Sequence, residues 1–259
     1  MEAVSRKQKK KRSVWQRMVT LVLLGIILYS AYKLGVIAYE YYENRQVLAD
    51  AQKLYHRDSP EAPETAGEEA RSSFDELLQI NEDIVGWLTI EQTLIDYPVL
   101  QAQNNDYYLD RNYKREQTRA GSIFMDYRND IRKLPQNTIL YGHNMKDGSM
   151  FGQLKKFLDE DFFSENRTFY YDTLYDGYEA EVISVYLSTT DFYYIQTDFS
   201  SDEEYMEFLE SIQARSLYDA GVELMADDAI ITLSTCDYTL DKVAGRLVVH
   251  AKLVERGSS

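Results

Sequence analysis

Cysteine occurs once in the 259 residues, at Cys236, and histidine three times, at His56, His143 and His250. A single thiol excludes an intramolecular disulfide and a multi-cysteine metal site. The three histidines lack the spacing of a ligand set, so neither a metal nor a cofactor is expected. Basic residues are scarce beyond the first forty: residues 1–40 carry eight Lys/Arg against two Asp/Glu, which leaves 20 basic and 41 acidic residues for 41–259. The two parts therefore carry +6 and −21. An acidic body without a basic stripe interleaved with aromatics repels phosphates, which excludes nucleic acid as the partner. No internal repeat is present. The one thiol is left with two readings, a buried small hydrophobe or a nucleophile.

What is present begins with Arg6, Lys7, Lys9, Lys10, Lys11, Arg12 and Arg17, followed by an apolar run over residues 18–39 interrupted only by Lys33. That length crosses a bilayer, with Lys33 close enough to the outer end for its stem to snorkel. The basic flank predicts residues 1–17 in the cytoplasm, a signal-anchor over 18–39 and the acidic body outside, with Tyr29, Tyr32, Tyr39, Tyr41 and Tyr42 suited to the outer interface. The rival reading is a cleaved signal peptide with Val36-Ile37-Ala38 at the cleavage site. Residues 43–58 read as a weakly amphipathic helix and 59–70 (SPEAPETAGEEA) as an acidic linker. Residues 40–72 are thus expected to form a stalk, and the folded domain to occupy 73–259, opening with a capping box over Ser73-Phe74-Asp75-Glu76.

From Gly86 onward β-branched and aromatic residues gather in short runs at 87–90, 93–99, 121–126, 137–141, 178–187, 230–236 and 246–254, which predicts a mainly β domain. Two helices are expected among them. One carries Met150, Phe151, Leu154, Phe157 and Leu158 on a face; the other starts at the Ser201-x-x-Glu204 capping box and carries Tyr205, Phe208, Leu209 and Ile212.

The last two runs can pair as an antiparallel hairpin, with Cys236 at the end of the first and Arg246 at the start of the second. Alternation sets Thr232, Ser234 and Cys236 on one face. Depending on register, guanidinium and thiol can share a side, and a guanidinium fixed there stabilises the oxyanion formed when a thiolate attacks a carbonyl. Taken alone, Arg246 also reads as an ordinary surface arginine. His143 follows a strand and Gly142, a place from which it can carry a proton over a cleft; a solvated loop histidine is the other reading. His250 lies mid-strand and His56 beside the linker, without such a setting.

Thr232-Leu233-Ser234-Thr235-Cys236 with Arg246 ten residues on, and Tyr141-Gly142-His143-Asn144-Met145 upstream, resembles the sortases, in particular the class B enzymes of Gram-positive bacteria. The similarity runs from about Phe74 to Val254 and includes Gly86-Trp87-Leu88 and Phe124-Met125-Asp126-Tyr127-Arg128. The resemblance implies a closed eight-stranded β-barrel with added helices, behind one transmembrane helix. It implies a cysteine transpeptidase in which Cys236 cleaves a C-terminal sorting signal of a surface protein, NPxTN-like or PxTG-like, and holds it as a thioester. An amine of the cell-wall peptidoglycan precursor then resolves that thioester. His143 would be its acid and base and Arg246 its oxyanion group, with Ser234, Thr235, Tyr194 and Ile195 contacting the peptide. Calcium is not implied, because class B members lack the acidic metal site of some class A enzymes. Two other functions stay open: a hydrolase using the same three residues, and a non-catalytic surface module in which Cys236 is inert.

Overall fold

The computed structural model describes residues 14–55, 70–189, 191–236 and 244–256, and the main chain alone at Cys236. The basic tail up to residue 13, His56, the 59–69 linker and the 237–243 stretch after the cysteine lie outside the described residues. The apolar run and the segment after it form one helix, α1 (Val14–Leu54), long and apolar enough to cross a membrane. Its N-terminal part is a unit of its own, ending at Glu43, and Leu21, Leu24, Ile27 and Leu28 on it are exposed.

The second unit begins at Asn44, earlier than residue 73, where the sequence placed the domain. The reason is packing. Leu48, Ala51 and Tyr55 are buried, the Tyr55 ring stacks on Trp87 at 4.3 Å, and its hydroxyl donates to the Asp172 carboxylate at 2.7 Å. The buried Asp172 also receives Arg71 Nη1 at 2.9 Å, with Arg256 as a further ion partner. The end of α1 and the segment around Arg71 are therefore built into the domain.

Eight strands close the barrel: β1 (Ile84–Thr89), β2 (Asp96–Leu100), β3 (Ile123–Met125), β4 (Asn137–Tyr141), β5 (Thr168–Thr173), β6 (Gly177–Ser188), β7 (Ile230–Cys236) and β8 (Arg246–Glu255). Their order around the barrel is β1-β2-β3-β4-β7-β8-β6-β5, with β5 pairing back to β1. The pairs β2/β3 and β4/β7 are parallel and the rest antiparallel. Closure removes the unpaired edges that an open sheet of this size would expose. Strand alternation then sorts the side chains. Leu88, Val99, Ile123, Leu140, Val185, Leu233, Val249 and Ala251 fill one core, while Ile183, Tyr186, Ile230 and Val248 on the other face meet the second predicted helix.

That helix, α4 (Asp202–Gln213), forms as expected. Ser201 Oγ accepts from Glu204 N–H at 3.2 Å, and Tyr205, Phe208, Leu209 and Ile212 are buried. Each such side chain contributes roughly 1.5–3 kcal/mol by leaving water. The other local expectations need correction. The face from Met150 to Leu158 is not one α-helix but a turn followed by a 3-10 segment, Leu154–Leu158, and then α3 (Glu160–Glu165). Positive φ at Gly148 (83°) and Met150 (50°) breaks the helical path before it starts. The capping box at 73–76 does not form either: α2 (Asp75–Ile80) is entered through the 3-10 turn Ser72–Phe74, with no side-chain cap. The strand absent from the sequence reading is β5.

Candidate active site

Strand order sets the site. On one side of β7, parallel β4 pairs Tyr141 with Ser234, and Gly142 N–H donates to the Ser234 carbonyl at 3.3 Å. The ladder ends at that pair, with His143 two residues beyond it on one chain and Cys236 two residues beyond it on the other. On the other side, antiparallel β8 pairs Cys236 with Arg246, and β6 pairs Arg246 with Ser188. His143, Cys236 and Arg246 thus stand in a row across one end of the barrel.

The loop after β4 is folded tightly under His143. Its carbonyl accepts from both Met145 N–H (3.1 Å) and Phe151 N–H (3.0 Å), and Asn144 bridges to Met150. Gly142 is required there, because a Cβ at that position would stand 2.8 Å from the Phe151 ring. The half-buried imidazole is oriented by main chain: Nε2 lies 2.7 Å from the Leu109 carbonyl oxygen. A carbonyl can only accept, so Nε2 carries a hydrogen and Nδ1 is the nitrogen at which a proton can be taken up or released. Leu109 closes the 3-10 turn Tyr107–Leu109, which sits against Gly121. Gly121 has φ +59°, and a Cβ on it would meet the Leu109 oxygen at 2.5 Å and the Tyr108 oxygen at 2.7 Å. The acceptor for His143 is therefore held in place by the absence of a side chain.

Arg246 is half-buried, and its Nη1 donates to the Gly245 carbonyl at 2.8 Å. Beside it on the α4-facing side of the sheet, Ser234 Oγ and Tyr194 Oη lie 2.9 Å apart, both side chains buried. Ile195, next in the β6–α4 connection, is partly exposed, so the structure brings Tyr194, Ile195 and Ser234 together. Thr235 falls on the opposite face with Leu233. Its side chain is buried and its hydroxyl has no hydrogen-bond partner among the described residues, so main chain is what it can offer a peptide.

His250 is not part of the row. It is fully buried, and burial holds its imidazole down at about 3. Thr232 Oγ1 donates to Asn137 Oδ1 at 2.7 Å, so it accepts from His250 Nδ1–H at 2.8 Å, and His250 Nε2 accepts from the Tyr186 hydroxyl at 2.8 Å. A neutral ring serves as a structural link.

Sequence reasoning missed Leu109 and Gly121. The first acts through a carbonyl that every residue owns; the second carried only the signal of a glycine opening the predicted run 121–126. The chain belongs to the sortase family: the Sortase domain model matches residues 88–254. Its relatives within that family are class B. Over 247 residues it is 47% identical to Sortase B of Listeria monocytogenes, covering 95% of this chain and 100% of that one. Among solved structures, a Bacillus anthracis protein described as similar to sortase B superposes with TM-score 0.75 at 60% identity, covering 83% of this chain and 98% of the other. A Staphylococcus aureus sortase B–substrate complex superposes with TM-score 0.75 at 36% identity, covering 84% and 99%. These relationships support a sortase transpeptidase role.

Proposed function

We propose that this chain is a membrane-anchored cysteine transpeptidase that works in two acyl transfers through Cys236. The Cys236 thiolate attacks the carbonyl carbon of the threonine in a sorting signal, and the oxyanion that develops is held by the Arg246 guanidinium. The C–N bond breaks as His143 gives its proton to the departing amine, leaving a thioester. An amine of a peptidoglycan precursor then attacks the thioester, loses its proton to His143 and expels the thiolate. Tyr194, Ile195, Ser234 and the Thr235 main chain form the wall along which the peptide lies; that a Staphylococcus aureus relative is solved as a sortase B–substrate complex supports a substrate site in this fold. What supports this reading most is the ladder register, which pairs Arg246 directly with Cys236 and runs the His143 strand along the other side of β7.

The anchor is α1, with residues 1–17 inside the cell, 18–39 across the membrane and the barrel outside, as the basic flank directs. Protease added to protoplasts should remove the barrel and spare an N-terminal tag; a mature chain released after residue 38 would show cleavage instead. Transfer and hydrolysis differ in whether amine or water resolves the thioester. Incubation with a sorting peptide and an added peptidyl amine should give the amide-linked product, and free acid in equal yield with or without amine would assign a hydrolase.

A further inference from the structure

The described residues of the connection between β6 and α4 form no regular structure, yet they include Tyr194 and Ile195. Without a strand ladder, its position must come from side chains. Two polar side chains supply it, the buried Asn137 and the partly exposed Arg128. Asn137 Nδ2 donates to the carbonyls of Gln196 (2.8 Å) and Tyr194 (3.4 Å), while its Oδ1 is fixed by Thr232. Arg128 takes the carbonyl between them: Nη2 donates to Ile195 O at 3.0 Å, and Nη1 donates to the Tyr193 hydroxyl at 2.9 Å. Three consecutive carbonyls are thus pinned from the barrel side.

Arg128 is itself held by Asp126 at the end of β3. The carboxylate is fully buried and receives Nε at 2.8 Å and Nη2 at 2.8 Å, a fork-to-fork pair. Asp126 further accepts from the Arg128 main-chain N–H (3.0 Å), the Tyr141 hydroxyl (2.8 Å) and Asn105 Nδ2 (3.0 Å). Burial alone would push this carboxyl up, but these bonds, Arg128 foremost, hold it below the usual carboxylate range. The guanidinium is therefore a rigid bracket, with one edge locked on a buried anion and its free end on the connection. A lysine carries its three donors on one nitrogen and cannot span the carboxylate fork, the Ile195 carbonyl and the Tyr193 hydroxyl together.

We infer that Arg128, locked by Asp126, is a positioning residue that sets the affinity of the site for the sorting peptide by fixing the 193–196 segment against Ser234. This rests on the reading above that Tyr194 and Ile195 line the peptide path. Among the described residues the partners of Arg128 are Asp126, Tyr193 and Ile195 and include neither His143 nor Arg246, so its loss should be felt in binding and not in nucleophile chemistry.

The test compares wild type with Arg128→Gln, Arg128→Lys and Tyr193→Phe. Turnover is followed on whichever of two quenched peptides the wild type cleaves, one carrying Asn-Pro-Gln-Thr-Asn and one Pro-Ala-Thr-Gly. Alkylation of Cys236 by iodoacetamide and amide exchange over 193–197 are measured alongside. Loss of a charged hydrogen bond to the segment should raise KM about tenfold or more in Arg128→Gln and Arg128→Lys, with kcat and alkylation rate within about threefold of wild type. Exchange over 193–197 should quicken, and Tyr193→Phe, at an exposed ring, should raise KM by a smaller factor. An unchanged KM in the folded variants, or a fall in kcat and alkylation without a rise in KM, overturns the inference. If Arg128→Gln does not fold, the other two variants decide by the same split. If the wild type cleaves neither peptide, the functional reading has failed independently, and unchanged exchange over 193–197 in Arg128→Gln would overturn the bracket itself.

Discussion

Arg246 stands directly across the β7–β8 ladder from Cys236, the last residue of its strand. Its guanidinium is half-buried and tied to the Gly245 carbonyl, which restricts where the planar fork can lie. An oxyanion donor at such a place is worth ~2.7–4 kcal/mol of transition-state stabilisation. Arg246→Lys keeps the charge but not the fork, and is expected to lower kcat by roughly 10²–10³ with an unchanged unfolding transition. Near-normal turnover in that variant would reassign Arg246 to packing or peptide positioning.

The Leu109 carbonyl is the acceptor that fixes the tautomer of His143, and Gly121 leaves it room. Gly121→Ala adds a Cβ at φ +59° within 2.5 Å of that oxygen, so the turn must shift. A positioned acid–base group contributes roughly 10²–10⁴ in rate. The variant, assayed where it is folded, is expected to lose about tenfold or more in kcat with KM for the peptide little changed. Full kcat in a folded Gly121→Ala protein would show that the carbonyl does not orient the imidazole.

Truncation separates two placements of the domain boundary. A chain starting at Asn44 keeps Leu48, Ala51, Tyr55 and Arg71, and is expected to unfold at the same denaturant midpoint as one starting at residue 40. One starting at Ser73 strips the ring from Trp87 and removes two partners of the buried Asp172. Losing a buried aromatic costs ~3–5 kcal/mol, so its midpoint should fall well below that of the longer chain. Equal midpoints would restore the boundary at 73.

Most strands were legible because β-branched and aromatic residues alternate over them and one face meets a core. β5 was passed over because its inward positions, led by Phe169 and Tyr171, are few and share the run with Tyr170 and Asp172. The spacing from Met150 to Leu158 did mark buried side chains, and Met150, Phe151, Leu154 and Phe157 are buried. A turn and a 3-10 segment deliver the same facing as a helix, so spacing alone misnamed the element. At the candidate site, side-chain chemistry left Cys236, His143 and Arg246 each open to a structural reading, and it was their joint pattern, resembling the sortases, that singled them out. The roles of the Leu109 carbonyl and the Arg128 bracket were not legible, since they depend on contacts far apart in the chain.

Acid stability gives an independent reading of the buried His250. Its folded pKa is about 3, against about 6.5 when exposed. Between those values the unfolded chain binds a proton that the folded chain refuses, so stability is full above about pH 6.5 and is lost as pH falls toward 3. From pH 6.5 to 4.5, above the main carboxylate titrations, His250→Gln is expected to flatten the slope by up to ~1.4 kcal/mol per pH unit. An unchanged slope would mean that the ring is protonated in the folded protein and that its bonds to Tyr186 and Thr232 are arranged otherwise.

The covalent step at Cys236 is the centre of the account, and intact mass spectrometry reads it directly. Wild-type protein mixed with a sorting peptide and no amine should gain the mass of the peptide up to and including its threonine, and Cys236→Ala should gain nothing. The adduct should persist when His143 is intact but Arg246 is lysine, at a slower rate of appearance. Absence of any adduct on wild type with either motif, together with a Cys236 that resists thiol reagents in the native state, would contradict the enzyme reading and leave a non-catalytic surface module in its place.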